Sequence, residues 1–93
     1  MEKRVLYLTL KKQWFDLINS GFKTEEYREI KPYWEKRFDN KTYDAVEFRN
    51  GYHKDAPKMS FKIDKIFQGN GRTEWGAIQG ETYYVIKLGE RIN

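Results

Sequence analysis

Three charged residues with complementary chemistry lie within one short segment of the chain. Lys23, Glu26 and Arg28 follow Gly21, and Thr24 lies between them. If the chain is extended from Thr24 onward, side chains two residues apart share a face, so Thr24, Glu26 and Arg28 lie on the same side. The glycine allows a sharp turn just before the lysine. The spacing therefore predicts that the three charges converge on one site.

Two interpretations of this site follow from its chemistry. Charges that are removed from water are costly unless they are paired, so we expect an ion pair between Glu26 and Arg28. A lysine shielded from water can serve as a general base, which makes Lys23 a candidate for catalysis. The alternative is that all three are ordinary surface charges on a solvated edge strand. Spacing alone leaves both interpretations open.

Apolar periodicity predicts the elements that must position these charges. The first strand has leucines at positions 6, 8 and 10 on one face, with Val5 and Tyr7 on the other, so we expect both faces to be covered. In chain order, the predicted elements are a strand at 4–10, a helix at 11–20, an extended segment at 22–30, a short helix from Pro32 to Phe38, and strands at 43–49, 59–67 and 82–88.

Irregular positions complete the predicted fold. The Asn-Gly pair at 50–51 and the Gly-Asn-Gly sequence at 69–71 are typical of turns with positive φ. Alternation in the strand at 59–67 breaks at Lys65 and Ile66, which predicts a β-bulge. About five short strands with two or three helices indicate an α+β fold, in which a mixed sheet curls into a small β-barrel.

The charged segment resembles the signature of a known family. Gly21, Lys23, Glu26 and Arg28 match Gly-x-Lys-x-x-Glu-x-Arg of the ASCH domain (activating signal cointegrator homology), a branch of the PUA-like β-barrel superfamily. The segment follows the first predicted strand and helix, where the family places it, and residues 83–89 resemble the family's final strand. The resemblance implies a single ASCH-like domain over residues 1–93, with a PUA-like mixed barrel.

The same resemblance implies that a cleft between the barrel and the helices binds RNA or a nucleotide. Basic side chains would contact phosphate and aromatic rings would stack on a base, although core packing is the alternative for each ring. Arg49 and Asn50, which lie beside a predicted turn, are candidates for the rim of the cleft. The candidate binding residues are Lys23, Thr24, Arg28, Arg49, Asn50, Tyr52 and Trp75.

A hydrolase is the alternative function that the resemblance implies. Some ASCH-like proteins are amidohydrolases that deacylate N4-acetylcytidine-type nucleosides, and others are ribonucleases. In the amidohydrolases the nucleophile is a threonine, whereas the aligned position here is Glu26. For RNA cleavage, Lys23 or Glu26 would act as the base and Arg28 would stabilise the anion. A protein-interaction domain is a further alternative.

The net positive charge is localised to one segment of the chain. The segment 49–72 has six basic and two acidic residues, so it carries the whole net charge of +4. Such a segment could attract phosphate, or it could simply solvate the outer face of a strand. The six residues are Arg49, Lys54, Lys58, Lys62, Lys65 and Arg72.

The remaining composition excludes several classes of site. The chain has no cysteine, which excludes disulfides, thiolate nucleophiles and cysteine-based zinc sites. His53 and Asp55 form an H-x-D pair that favours a polar loop over a metal site, and we expect no metal and no cofactor. No apolar run approaches the ~18 residues of a membrane span, and the first residues lack a signal-peptide pattern. We therefore expect a cytoplasmic protein.

Overall fold

Five strands form one mixed sheet in the computed structural model, which describes residues 4–93. In chain order the elements are β1 (Val5–Leu10), α1 (Lys12–Asn19), β2 (Glu25–Glu29), α2 (Pro32–Phe38), β3 (Ala45–Asn50), β4 (Lys58–Asn70), a 3₁₀ helix (Thr73–Trp75) and β5 (Thr82–Arg91). The sheet order is β1-β3-β4-β5-β2, with β1 parallel to β3 and every other neighbouring pair antiparallel. The sheet curls into a half-barrel, so the predicted α+β class is confirmed.

The hydrophobic core fills the concave side of the half-barrel. Leu6 and Leu8 on β1 are paired with Val46 and Phe48 on β3, and all four side chains are buried. The prediction that both faces of β1 are covered is wrong, because Tyr7 is 60% exposed. Strand β1 is an edge strand, and only its concave face meets the core.

Helix α1 delivers the chain to the start of β2. Its buried face centres on Phe15 and Ile18. Gly21 follows the helix with φ of 88°, as predicted for a glycine that ends a helix. The backbone N–H of Lys23 then donates to Leu17 O at 3.1 Å. This bond turns the chain back over the helix and places the lysine at the edge of the core.

The strand β4 is longer than predicted. It continues through Asn70, which pairs with Thr82 on β5, so the predicted turn at 69–71 is wrong. Gly69 and Gly71 do not have positive φ, whereas Gly51 does, as predicted. Strand β4 contains register shifts, but they lie within residues 61–65, ahead of the predicted break between Lys65 and Ile66. Because the backbone at 68–70 is extended, it continues the ladder with β5 as far as Thr82.

Gly71 serves close packing rather than a turn. A Cβ atom at this position would lie 2.6 Å from the Cβ of Ala77 and 2.8 Å from the Tyr27 ring. These distances are shorter than any carbon contact, so only glycine lets the chain after β4 approach β2 so closely. Within residues 4–93, neither α1 nor α2 has the length and hydrophobicity that a membrane-crossing helix requires.

Tyr84 links the core to the end of α2. Its ring contacts Phe38, with 4.8 Å between the centroids, and its hydroxyl donates to Asp39 Oδ1 at 2.8 Å. Burial, and next the hydrogen bond to Asp39, raises the pKa of Tyr84 to about 12. An unfolded tyrosine ionises near pH 10. The folded protein therefore retains a proton that the unfolded chain releases between these values.

We expect the contribution of Tyr84 to the free energy of unfolding to be fully present below about pH 10 and to be lost as the pH rises toward 12, because the unfolded state then binds fewer protons than the folded state. Urea unfolding at about pH 9 and about pH 11 measures this fall. Tyr84→Phe removes the titrating group, so the variant should lose less stability over the same interval. An equal loss in both proteins would contradict the assignment to Tyr84.

Candidate functional site

A charged triad is formed by Lys23, which precedes β2, and by Glu26 and Arg28, which share one face of β2. Lys23 Nζ donates to Glu26 Oε1 at 2.7 Å, and Arg28 Nη2 donates to Glu26 Oε2 at 2.7 Å. The predicted pair of Glu26 and Arg28 is thus confirmed. Glu26 is only 7% exposed, so both of its oxygens need donors. The carboxylate sits between two cations, and each cation holds one of its oxygens.

The lysine of the triad is enclosed by the protein. Lys23 is 1% exposed, and its Nζ also donates to Glu25 O at 2.7 Å. The rings of Trp14 and Tyr27 lie 5.5 Å and 5.2 Å from Nζ, within the range of cation–π attraction. The Glu26 carboxylate, the Glu25 carbonyl and the two rings therefore replace the water that the buried ammonium group loses. Lys23 thus lies below the protein surface and stabilises the position of Glu26.

The arginine of the triad spans the two edges of the sheet. Arg28 Nη2 also donates to Thr9 O on β1, at 3.2 Å, although β1 and β2 share no ladder. Its guanidinium lies 5.0 Å from the centroid of Trp34. The Nε atom is buried and has no hydrogen-bond partner within residues 4–93. Contacts with β1, β2 and α2 thus fix the guanidinium.

The two edge strands β1 and β2 face each other across an open seam. A groove of about 660 Å³ lies over this seam, and we call it the central groove. Glu26 and Arg28 line it together with Trp34. Lys11 and Lys12 contribute basic side chains from the start of α1, and Lys12 is paired with Asp16 at 2.6 Å. The start of α1 therefore supplies basic side chains to the groove, and α2 supplies an aromatic wall.

The central groove collects four of the residues that the sequence suggested. Glu26 and Arg28 line it from β2, Asn50 lines it from the end of β3, and Tyr52 lines it from the loop that follows. The ring of Tyr52 is 91% exposed, so it is open to a ligand. The turn at Gly51, with φ of 89°, lets this loop reach the seam. Residues from β2 and from the β3–β4 loop thus share one surface.

The other suggested residues lie elsewhere. Thr24 is exposed just before β2 and does not line the groove. Arg49 donates to His53 O and Lys54 O, at 3.0 and 3.3 Å, so it stabilises the β3–β4 loop. Trp75 is buried and lines an adjoining cavity of about 650 Å³. Its indole Nε1 has no hydrogen-bond partner in the described part of the chain.

The basic segment 49–72 does not surround the groove. None of its six lysines and arginines lines it. Lys62 pairs with Glu90 at 3.8 Å, and Arg72 contacts Glu74 at 3.2 Å. The H-x-D pair forms a local loop contact, in which the Asp55 N–H donates to His53 Nδ1 at 3.2 Å. Among residues 4–93, no three histidine or acidic side chains are grouped as metal ligands.

Sequence reasoning missed the aromatic wall of the groove. Trp34 appeared only as part of a short helix, yet its ring contacts Arg28 and stacks on Phe38 with centroids 5.9 Å apart. Trp14, within the helix predicted at 11–20, borders both the groove and the adjoining cavity. A usable signal was the helical spacing of Tyr33 and Arg37, which places a ring and a guanidinium on one face.

Tyr27 connects the groove to the segment after β4. Its hydroxyl donates to Glu25 Oε1 at 2.8 Å and accepts the backbone N–H of Arg72 at 3.0 Å. Burial is the main reason that the pKa of the Tyr27 phenol lies well above its ordinary value. The two hydrogen bonds position the ring beside Lys23 and at the wall of the groove.

We expect Glu26→Leu to lower the free energy of unfolding by about 3–5 kcal/mol, because it leaves the buried Lys23 ammonium without its carboxylate. Lys23→Met should cost less, since Glu26 keeps Arg28 as a partner. The double variant should recover part of the loss. Urea unfolding measures all three, and a Lys23→Met loss as large as that of Glu26→Leu would contradict the central role of the carboxylate.

The chain was compared with known proteins in three ways. Searches with protein-family models, among curated proteins and among solved structures found no match for this chain. Its function is therefore inferred from its own residues: a paired carboxylate, a fixed guanidinium and exposed aromatic rings around one groove.

Proposed function

We propose that this chain is an ASCH-like, PUA-like domain that binds a nucleotide, free or within RNA, in the central groove. The observation that carries the proposal is the Arg28 guanidinium, which lines the groove and is fixed by Glu26, Thr9 and Trp34. A preorganised guanidinium is well suited to a phosphate, because it loses little freedom on binding. The signature at positions 21–28 supports the same proposal.

Charge around the groove supports a phosphate ligand. The carboxylate of Glu26 is neutralised by Lys23 and Arg28, so it repels an anion only weakly. Lys11 adds a further cation to the lining. Glu29, the other acidic residue that lines the groove, lies 3.2 Å from Lys31 Nζ. A phosphate that enters the groove therefore meets basic side chains, and both acidic residues of the lining are already paired with a cation.

Aromatic surface around the groove supports a base. Trp34 presents its ring beside Arg28, and Tyr52 leaves most of its ring in solvent. Stacking on such rings contributes about 1–3 kcal/mol for each base and tolerates any sequence. The volume of about 660 Å³ lies within the range of small-molecule sites. One nucleotide can thus place its phosphate at Arg28 and its base against an aromatic ring.

Burial of the triad favours binding over hydrolysis. A general base must reach the proton that it removes, but Lys23 is 1% exposed and its Nζ is held by Glu25 O and Glu26. Both oxygens of Glu26 already accept hydrogen bonds from cations. The two candidate bases are therefore committed to holding Arg28 and the surrounding backbone. A binding site needs no more than this.

Fluorescence anisotropy with a labelled, unpaired RNA tests the proposal. Arg28→Gln should weaken binding by about tenfold, because it removes a charge-assisted contact with phosphate. Tyr52→Ala should have an effect of similar size through lost stacking. Lys65→Gln removes the same charge at an exposed position that does not line the groove, and should leave affinity within about twofold. Thermal unfolding of each variant checks that the fold persists.

Two results would contradict the proposal. Equal losses for Arg28→Gln and Lys65→Gln would show that RNA binds through general charge rather than in the groove. Cleavage or deacylation that disappears in Lys23→Met would support the hydrolase alternative. Gel analysis of the RNA and chromatography of N4-acetylcytidine, with and without Mg²⁺, would detect such products.

A further inference from the structure

A second pocket, of about 330 Å³, adjoins the central groove on the side of α2. Thr9, Arg28, Trp34 and Tyr52 line both, so the two form one continuous surface. The second pocket is extended by side chains that the central groove lacks. We call these the aromatic patch: Tyr7, Tyr33 and Arg37.

The rings of the aromatic patch are open to solvent. Tyr7 on β1 is 60% exposed and Tyr33 on α2 is 58% exposed. Tyr52 stands beside them at the junction with the groove. Three large rings from three different elements are thus gathered on one side of the protein. Large exposed rings gathered on one surface make it a candidate interaction site.

Charge on this surface selects an anionic partner. Arg28 and Arg37 line the second pocket, and no acidic residue of the described chain does. Arg37 Nη2 donates to Tyr33 Oη at 2.8 Å, and its guanidinium lies 4.9 Å from the ring centroid. Arg37 has no carboxylate partner among residues 4–93. A cation without a carboxylate partner is therefore held beside a ring that is more than half exposed.

We propose that the ligand of the central groove is an unpaired polynucleotide strand that continues across the aromatic patch. Successive bases lie on Tyr52 and Tyr33, and a phosphate between them meets Arg37. This inference rests on the proposed function, because it extends the ligand of the same groove. A mononucleotide would leave the patch empty. A duplex would keep its bases stacked inside and could not use the rings.

The alternation of rings and cations favours a strand over a peptide. An unpaired strand presents a flat base and a negative phosphate at every step, and the surface offers a guanidinium and a ring twice, as Arg28 with Tyr52 and as Arg37 with Tyr33. RNA and DNA share this chemistry. They differ in the 2′-hydroxyl, so parallel measurements on both strands distinguish them.

The dependence of affinity on ligand length tests the inference. Fluorescence-detected binding is measured for AMP and for oligoadenylates of two, three, four and six residues, as RNA and as DNA. We expect the trimer to bind about tenfold or more tightly than AMP, because it adds stacking on the patch. Tyr33→Ala should remove this gain and leave AMP binding unchanged. Tyr33→Phe, which keeps the ring, should retain the gain.

Further variants separate stacking from charge. Arg37→Gln should lower the slope of log affinity against log salt for the trimer by about 0.7, as expected when one phosphate contact of a single strand is lost. Phe22→Ala removes a ring of similar exposure, 59%, that lines neither pocket. It should bind both AMP and the trimer as the wild-type protein does.

The outcomes of this experiment distinguish the two proposals. If AMP binds in an Arg28-dependent manner but the trimer gains nothing, the strand is overturned and the nucleotide site stands. If Tyr33→Ala weakens AMP and the trimer equally, the patch is not a separate extension and the inference is overturned. If no nucleotide of any length binds, both proposals fail.

Discussion

The buried carboxylate of Glu26 is the interaction on which the rest of the site depends. It accepts one hydrogen bond from Lys23 and one from Arg28, each at 2.7 Å. A lysine that is 1% exposed would be very costly without such a partner, and the arginine would lose its anchor. The carboxylate thus connects the exit of α1 to β2. It converts three charges that could repel ligand or destabilise the fold into one organised group.

The open seam of the half-barrel determines where this group acts. Because β1 and β2 are the two edges of the sheet, their facing backbone groups are not joined by a ladder. The Arg28 side chain bridges them through Thr9 O, and the central groove lies over this bridge. A closed ladder would satisfy the same backbone and leave no place for a ligand. Incomplete closure therefore leaves the surface on which we propose that the ligand binds, and Trp34 and Tyr52 border it.

Local pattern predicted much of the fold, since alternation and helix-ending signals depend on neighbouring residues. The Glu26–Arg28 pair followed from the same logic, because strand spacing puts both on one face. Packing between distant segments was beyond this reasoning. Gly71 resembled a turn residue, but its role depends on the ring of Tyr27, 44 positions away in sequence. Likewise, net charge pointed to residues 49–72, whereas the groove takes its cations from Arg28 and the start of α1.

Restriction of the Arg28 guanidinium tests the central claim most directly. Nitrogen-detected NMR of arginine side chains reports whether rotation about the Nε–Cζ bond is slow. Bonds to Glu26 and Thr9 should hold this guanidinium in the free protein, so we expect separate, slowly exchanging Nη signals from Arg28 before any ligand is added. Averaged signals like those of solvent-exposed arginines would contradict the claim that the carboxylate fixes the arginine at the seam.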